Sequence, residues 1–152
     1  MNLKDDCCLV VIDMQNDFLE PTGLFEQNYY KLRPLTISKK IGDVVNIFRK
    51  NKCLIVWTKF VSGSLKNDDM YKNMIKSLPF DEQTYIGDKK YCCDDKGCDF
   101  YQAIKIFVSD SDIVLEKNWY SAFKNTPLDQ LLKNNGISTI FVCGVTRDYC
   151  VY

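Results

Sequence analysis

The chain has 152 residues, enough for one domain around a single sizeable core. Apolar residues make up 46% and charged residues 26%, the ordinary balance of a globular chain. Lys and Arg number 20 and Asp and Glu number 20, so the basic excess that gathers nucleic-acid phosphates is missing. No apolar run approaches the ~20 residues that span a bilayer, which argues against a membrane partner. The opening MNLKDDCCLVVID places acids ahead of a short apolar run and carries no signal-peptide cleavage pattern, so the expected location is cytoplasmic. There is no histidine. That removes Ser–His–Asp and Cys–His catalysis and every histidine-ligated metal site.

Four short apolar runs punctuate the chain: CCLVVID (7–13), CLIVWT (53–58), DIVLE (112–116) and TIFVC (139–143). They are continuous rather than alternating and far apart, which is the signature of parallel strands buried on both faces. Between the first two, TISKKIGDVVNIFRKN (36–51) sets Ile37, Ile41, Val44, Val45 and Phe48 on one helical face. Residues 61–111 are polar and rich in Lys and Asp, with possible helices near 69–77 and 99–107. They read as an elaborated crossover over the carboxyl edge of the sheet, where α/β sheets carry ligands. Between the last two runs, Thr126 reads as an N-cap, Pro127 as the first helical residue, Asp129 as an acid in the first turn and Gly136 as the stop. The order of strands and helices predicts an α/β fold with right-handed crossovers and a parallel sheet.

Of the eight cysteines, Cys7, Cys8, Cys53 and Cys143 fall within apolar runs, where cysteine behaves as a small hydrophobe and stays reduced. Cys92, Cys93 and Cys98 form a separate group. Their C-C-x4-C spacing does not match a zinc ribbon, and a fourth ligand is unassigned. A reactive surface thiol is the other reading of that group.

Chemistry is sought just past the strand ends. Asp13 follows the first run, Lys117 the third, and Cys150 the fourth, beyond a glycine turn. A carboxylate, an ammonium and a thiol make a nucleophilic site without histidine. Asp13 accepts the thiol proton, Lys117 favours the thiolate, and Cys150 attacks a carbonyl. Each residue alone has a plain alternative. Asp is common at turns, lysine is usually solvated, and a cysteine near a terminus is usually a small apolar residue. Their joint placement at one edge is what favours the functional reading.

Three segments, VVIDMQNDF (10–18), KYCCDDKGCDF (90–100) and EKNWYSAFKNTPLDQLLKNNGISTIFVCGVTRDYCV (116–151), together resemble the isochorismatase-like cysteine hydrolases. That superfamily includes nicotinamidases, isochorismatases and several amidohydrolases. The match is collinear from residue 7 onward and loose only at 61–90. The resemblance implies a three-layer α/β/α fold with a Rossmann-like parallel sheet, and a single domain over residues 1–152. It assigns Asp13, Lys117 and Cys150 as the catalytic trio. It also implies a cis peptide between Val145 and Thr146, an oxyanion hole from the N–H groups of Thr146 and Cys150, and a pocket lined by Phe18 and Phe123. Both phenylalanines also read as plain core packing. The implied substrate is a small amide or ureide hydrolysed through a thioester, with no cofactor and no metal, by a homo-oligomer.

Two departures from the family stand out. Where nicotinamidases carry their metal ligands, this chain reads WTKFVSGSL, which has neither His nor Asp. The family also continues for about two more strands and helices, whereas two residues follow Cys150 here. The expectation is a sheet shortened after its fourth strand, which would leave that strand as an apolar edge. Three readings follow: a metal-free cysteine amidohydrolase, a catalytically impaired remnant that binds or oligomerises through the fourth strand, and a nicotinamidase with an unrecognised metal site.

Overall fold

The computed structural model describes residues 3, 6–21, 33–61 and 95–151. Strand β1 (Cys7–Ile12) is buried along its whole length, and its two faces feed two different cores. Cys7, Leu9 and Val11 point to one side, and Cys8, Val10 and Ile12 to the other. This period of two is what a central strand requires, and it explains why the sequence shows an unbroken apolar run.

After β1 come α1 (Asn16–Leu19), α2 (Pro34–Lys50) and β2 (Leu54–Phe60). Then follow α3 (Asp95–Cys98), α4 (Gln102–Lys105), β3 (Ile113–Lys117), α5 (Leu128–Asn134), β4 (Thr139–Gly144) and a π-helical turn at Arg147–Val151. The four strands are parallel, in the order β3-β2-β1-β4. The order of strand addition reverses at β1, with β2 and β3 on one side and β4 on the other, so the carboxyl ends of β1 and β4 flank a switch point.

Helix α2 covers one face of the sheet. Its stripe of Ser38, Ile41, Gly42, Val45 and Phe48 is buried, and Pro34 starts it where a missing N–H costs nothing. Each apolar side chain in that stripe contributes about 1.5–3 kcal/mol by burial. Gly42 is required for a close approach, since a Cβ there would lie 2.2 Å from Cζ of Phe107. Helix α5 belongs to the opposite face, through the buried Leu128 and Leu132. The three layers are therefore α2, sheet and α5.

Several boundaries differ from the sequence reading. β2 runs on to Phe60, and Lys117 is the last residue of β3 rather than the residue beyond it. Helix α5 begins at Leu128, with Pro127 in the N-cap position. Thr126 acts from one residue further out. Its hydroxyl accepts the Leu128 N–H at 3.3 Å and donates to the Ala122 carbonyl. The helix expected near 99–107 is only α4, and the one near 69–77 lies outside the described residues. β4 is the edge of the described sheet, with Ile140, Phe141 and Val142 exposed. Phe141 still meets the Phe48 ring edge-on at 5.2 Å.

Candidate active site

The carboxyl ends of all four strands bring polar groups together in an otherwise apolar setting. Asp13 leaves β1 in the left-handed region at φ 50° and is fully buried. Beside it, β4 ends at Gly144, φ 128°, where a Cβ would stand 2.1 Å from the Ile12 carbonyl oxygen. Only glycine lets the two chains lie that close. The Val145–Thr146 peptide is cis. The π-helical turn then closes through Val151 N–H to the Thr146 carbonyl at 3.2 Å and carries Cys150. Among the described residues, the Thr146 N–H finds no backbone acceptor.

Lys117 reaches the same point from β3. Its Nζ lies 2.7 Å from Asp13 Oδ2, and both side chains are without solvent exposure. It also donates to the Trp119 carbonyl at 2.9 Å and lies 5.0 Å above the Phe60 ring. Two buried charges are tolerable here because they neutralise each other and are further hydrogen-bonded. Cys150 interacts with both members of the pair. The structure thus brings together Asp13, Lys117 and Cys150 from three separate strand ends.

Burial, more than any neighbour, pushes the Cys150 thiol up from its ordinary 9.0 to about 12. The Asp13 charge pushes in the same direction, and Lys117 opposes it. Lys117 favours the thiolate, and desolvation outweighs it. Desolvation disfavours the anion, and the nearest carboxylate adds to that penalty. The resting group is a thiol beside a carboxylate able to take its proton.

Phe18 and Phe123 are treated differently by the fold. Phe18 sits in the core on the α2 side, 7% exposed, whereas Phe123 is 45% exposed in the turn before α5. An aromatic group not marked in the sequence lies near the mouth: Tyr120 stands 5.8 Å from Tyr149 and 6.0 Å from Trp119, and Lys124 caps the Trp119 ring at 3.4 Å.

Sequence reasoning passed over two buried polar residues. Gln15 donates to the carbonyls of Phe60 and Cys98, at 2.9 Å each, and accepts the Phe60 N–H at 2.7 Å. It stands in for a strand partner at the end of β2. Thr58 hydrogen-bonds Asp13 twice. A signal existed for both: Thr58 is the one uncharged polar residue in IVWTKF, and Gln15 stands with Asn16 between two carboxylates in DMQND.

The fit of a metal can be tested on the donors themselves. The residues ending β2 and following it, Lys59, Phe60 and Val61, are not metal ligands. Among the described residues, no three His, Cys, Asp or Glu side chains gather to hold an ion. Cys98 is described, with its thiol 3.9 Å from the Phe60 carbonyl, while Cys92 and Cys93 lie outside the described residues. The described donors do not fit a metal, and no step below passes through one.

Residues 7–152 match the family model of the Isochorismatase domain. Among solved structures, an N-carbamoylsarcosine amidase from Thermoplasma acidophilum is similar at 27% identity and TM-score 0.67, over 95% of this chain and 70% of that one. A cysteine hydrolase from Pseudomonas syringae pv. phaseolicola shares the fold at 24% identity and TM-score 0.70, over 99% of this chain. A pyrazinamidase of Pyrococcus horikoshii, solved in complex with zinc, shares it at 22% identity and TM-score 0.68, over 96% of this chain and 74% of that one. The present chain spans 65% of the length of the Pseudomonas protein.

Proposed function

Because this chain belongs to the isochorismatase family, we propose that it is a cysteine-dependent hydrolase of a small amide or ureide. The observation that carries this reading is the buried Asp13–Lys117 pair at 2.7 Å with Cys150 interacting with both. Similarity to an amidase at 27% identity supports the amide class.

The reaction begins with Cys150 as a thiol. Asp13 takes the Sγ proton as the sulfur attacks the amide carbonyl carbon, so a charged thiolate never has to persist in the buried site. The carbonyl oxygen gains the negative charge, and the N–H groups of Thr146 and Cys150 donate to it. Collapse of the intermediate breaks the C–N bond, and Asp13 returns the proton to the departing nitrogen. A thioester remains on Cys150. Water then attacks it, Asp13 accepts the water proton, and the thiol is restored as the acid leaves. Lys117 stays protonated throughout. It holds Asp13 in place and steadies negative charge at the sulfur. In this reading residues 1–152 act as one domain, Phe18 and Phe123 border the substrate, and the working form is a homo-oligomer.

The test is ammonia release from a panel of small amides and ureides, with Cys150→Ala as control. Turnover that disappears in the variant supports the reading. No turnover from folded protein across the whole panel sinks it.

The exposed apolar residues of edge strand β4 favour a second reading, a non-catalytic module that associates through that edge. Sedimentation beside the ammonia assay separates the two: association without turnover supports the module, and turnover lost in Cys150→Ala supports the hydrolase.

A further inference from the structure

We infer that Thr58 is a positioning residue that gives the two oxygens of Asp13 different jobs, leaving Oδ2 alone as the proton acceptor for Cys150. The inference rests on Asp13 being the base, as proposed above.

Thr58 is fully buried near the carboxyl end of β2. Its hydroxyl oxygen lies 3.2 Å from the Asp13 amide nitrogen and 2.6 Å from Asp13 Oδ1. An amide N–H can only donate, so the hydroxyl accepts there. A hydroxyl has one proton, and a carboxylate can only accept. The Thr58 proton is therefore committed to Oδ1. The two bonds form a closed ring between one side chain and one residue, and neither can be reversed.

This ring does two things. It satisfies the Asp13 N–H in a left-handed conformation, φ 50°, just past the end of the β1 ladder. It also fixes rotation of the carboxylate about its last bond. Oδ1 is held on β2 by a hydrogen bond to a charged acceptor, which is short and strong. Oδ2 is then turned towards Lys117, 2.7 Å away. Despite that proximity, buried Oδ2 accepts no well-angled hydrogen bond among the described residues. Its free lone pair is where the proton of Cys150 can go. Lys117 supplies charge to Oδ2, and Thr58 supplies its orientation.

Without the hydroxyl, Oδ1 and the Asp13 N–H both lose their partner. The carboxylate is free to rotate towards Lys117 with either oxygen. With the carboxylate no longer held, its lone pair faces the Cys150 thiol less often, and proton removal from Cys150 is slower at neutral pH.

The experiment is peptide-resolved alkylation of Cys150 by iodoacetamide from pH 5 to 10, in the full chain, for wild type, Thr58→Val, Thr58→Ser and Asp13→Asn. Thr58→Val keeps the shape and removes the hydroxyl. Thr58→Ser keeps the hydroxyl and removes a methyl. The expected result is an alkylation rate about tenfold lower in Thr58→Val at pH 7. Thr58→Ser stays within about twofold of wild type and keeps its profile. Equal rates and profiles in wild type and Thr58→Val, beside a slowed Asp13→Asn, overturn the positioning role alone. Equal losses in Thr58→Val and Thr58→Ser also overturn it, since the methyl would then matter and not the bond. An Asp13→Asn rate equal to or above wild type overturns the base assignment itself, since the Asp13 charge would then only hold the thiol protonated. Should Thr58→Val not fold, Thr58→Cys takes its place. Its weaker donor gives an intermediate rate if the proposal holds and a wild-type rate if it does not.

Discussion

Lys117 Nζ and Asp13 Oδ2 stand 2.7 Å apart with neither side chain exposed. Each charge was taken out of water on account of the other. Removing one leaves the other uncompensated, which costs about 3–5 kcal/mol in a buried pair. Lys117→Met and Asp13→Asn are each expected to lower stability by that order. The double variant is expected to be less destabilised than the two losses added, because no lone charge remains. Urea unfolding of the four proteins gives the coupling directly. Additive losses would mean that the pair is not mutually stabilising in solution.

Three thiols give the protein an alkaline weakness. Burial pushes Cys8, Cys143 and Cys150 up from 9.0 to about 12. Above pH 9 the unfolded chain has lost these protons and the folded chain still holds them. The folded state then binds more protons, so stability falls as pH rises. The contribution is intact below about 9 and is lost progressively towards 12. Thermal melts from pH 8 to 11 are expected to show a declining Tm, with a shallower decline in Cys150→Ala and in Cys8→Ala. Lysines and tyrosines titrate in the same range, so the difference between variant and wild type is the readout. Identical slopes would mean that these thiols are more open to water than the structure places them.

Two glycines with positive φ separate backbone strain from steric clash. Gly136, at φ 66°, has open space where a Cβ would go, while Gly144, at φ 128°, has the Ile12 backbone there. Gly136→Ala is expected to cost about 1–2 kcal/mol, the usual penalty of the left-handed region. Gly144→Ala must in addition part β4 from β1, so it is expected to cost more and to change the alkylation rate of Cys150. Comparing Tm and alkylation rate for the two variants checks both halves. A Gly144→Ala protein as stable as Gly136→Ala would show that the β1–β4 junction yields easily.

The frame was legible in the sequence because burial writes it plainly. β1 had to be apolar on both faces, and its run from Cys7 to Ile12 could be placed almost to the residue. The meeting of Asp13 and Lys117 was legible for a related reason: a carboxylate and an ammonium are unlike the apolar strands they end, whereas Cys150 resembles the strand cysteines and lies beyond β4 in the π-helical turn. The connecting hydrogen bonds were less visible. Thr58 and Gln15 are defined by what they reach across the fold, with partners 45 or 83 residues away in the chain. The thiol shift was not legible because it depends on how much water the fold removes, which composition does not encode. Capping of α5 moved by one residue for a local reason. Thr126 can serve the Leu128 N–H from outside because Pro127 has no N–H to satisfy.

Asp112 stands at the amino end of β3, away from the candidate chemistry, and separates stability from reactivity. Its Oδ2 accepts from Arg49 Nη2 at 2.6 Å, Trp57 Nε1 at 2.9 Å and the Ser109 N–H at 3.0 Å. One oxygen thus ties α2, β2 and the turn before β3. Trp57 is fully buried, so losing its acceptor leaves an indole N–H without water to replace it. Asp112→Ala is expected to cost about 2–4 kcal/mol by stranding that donor and unpairing Arg49. Asp112→Asn can still offer one oxygen to Trp57 but cannot pair with Arg49, so its cost is expected to be about half. Neither variant touches Asp13, Lys117 or Cys150. The alkylation profile of Cys150 is expected to be unchanged wherever the protein remains folded. Urea titration measures the first effect and peptide-resolved alkylation the second. A shifted Cys150 profile in Asp112→Asn would show that the two ends of the sheet are coupled through β2.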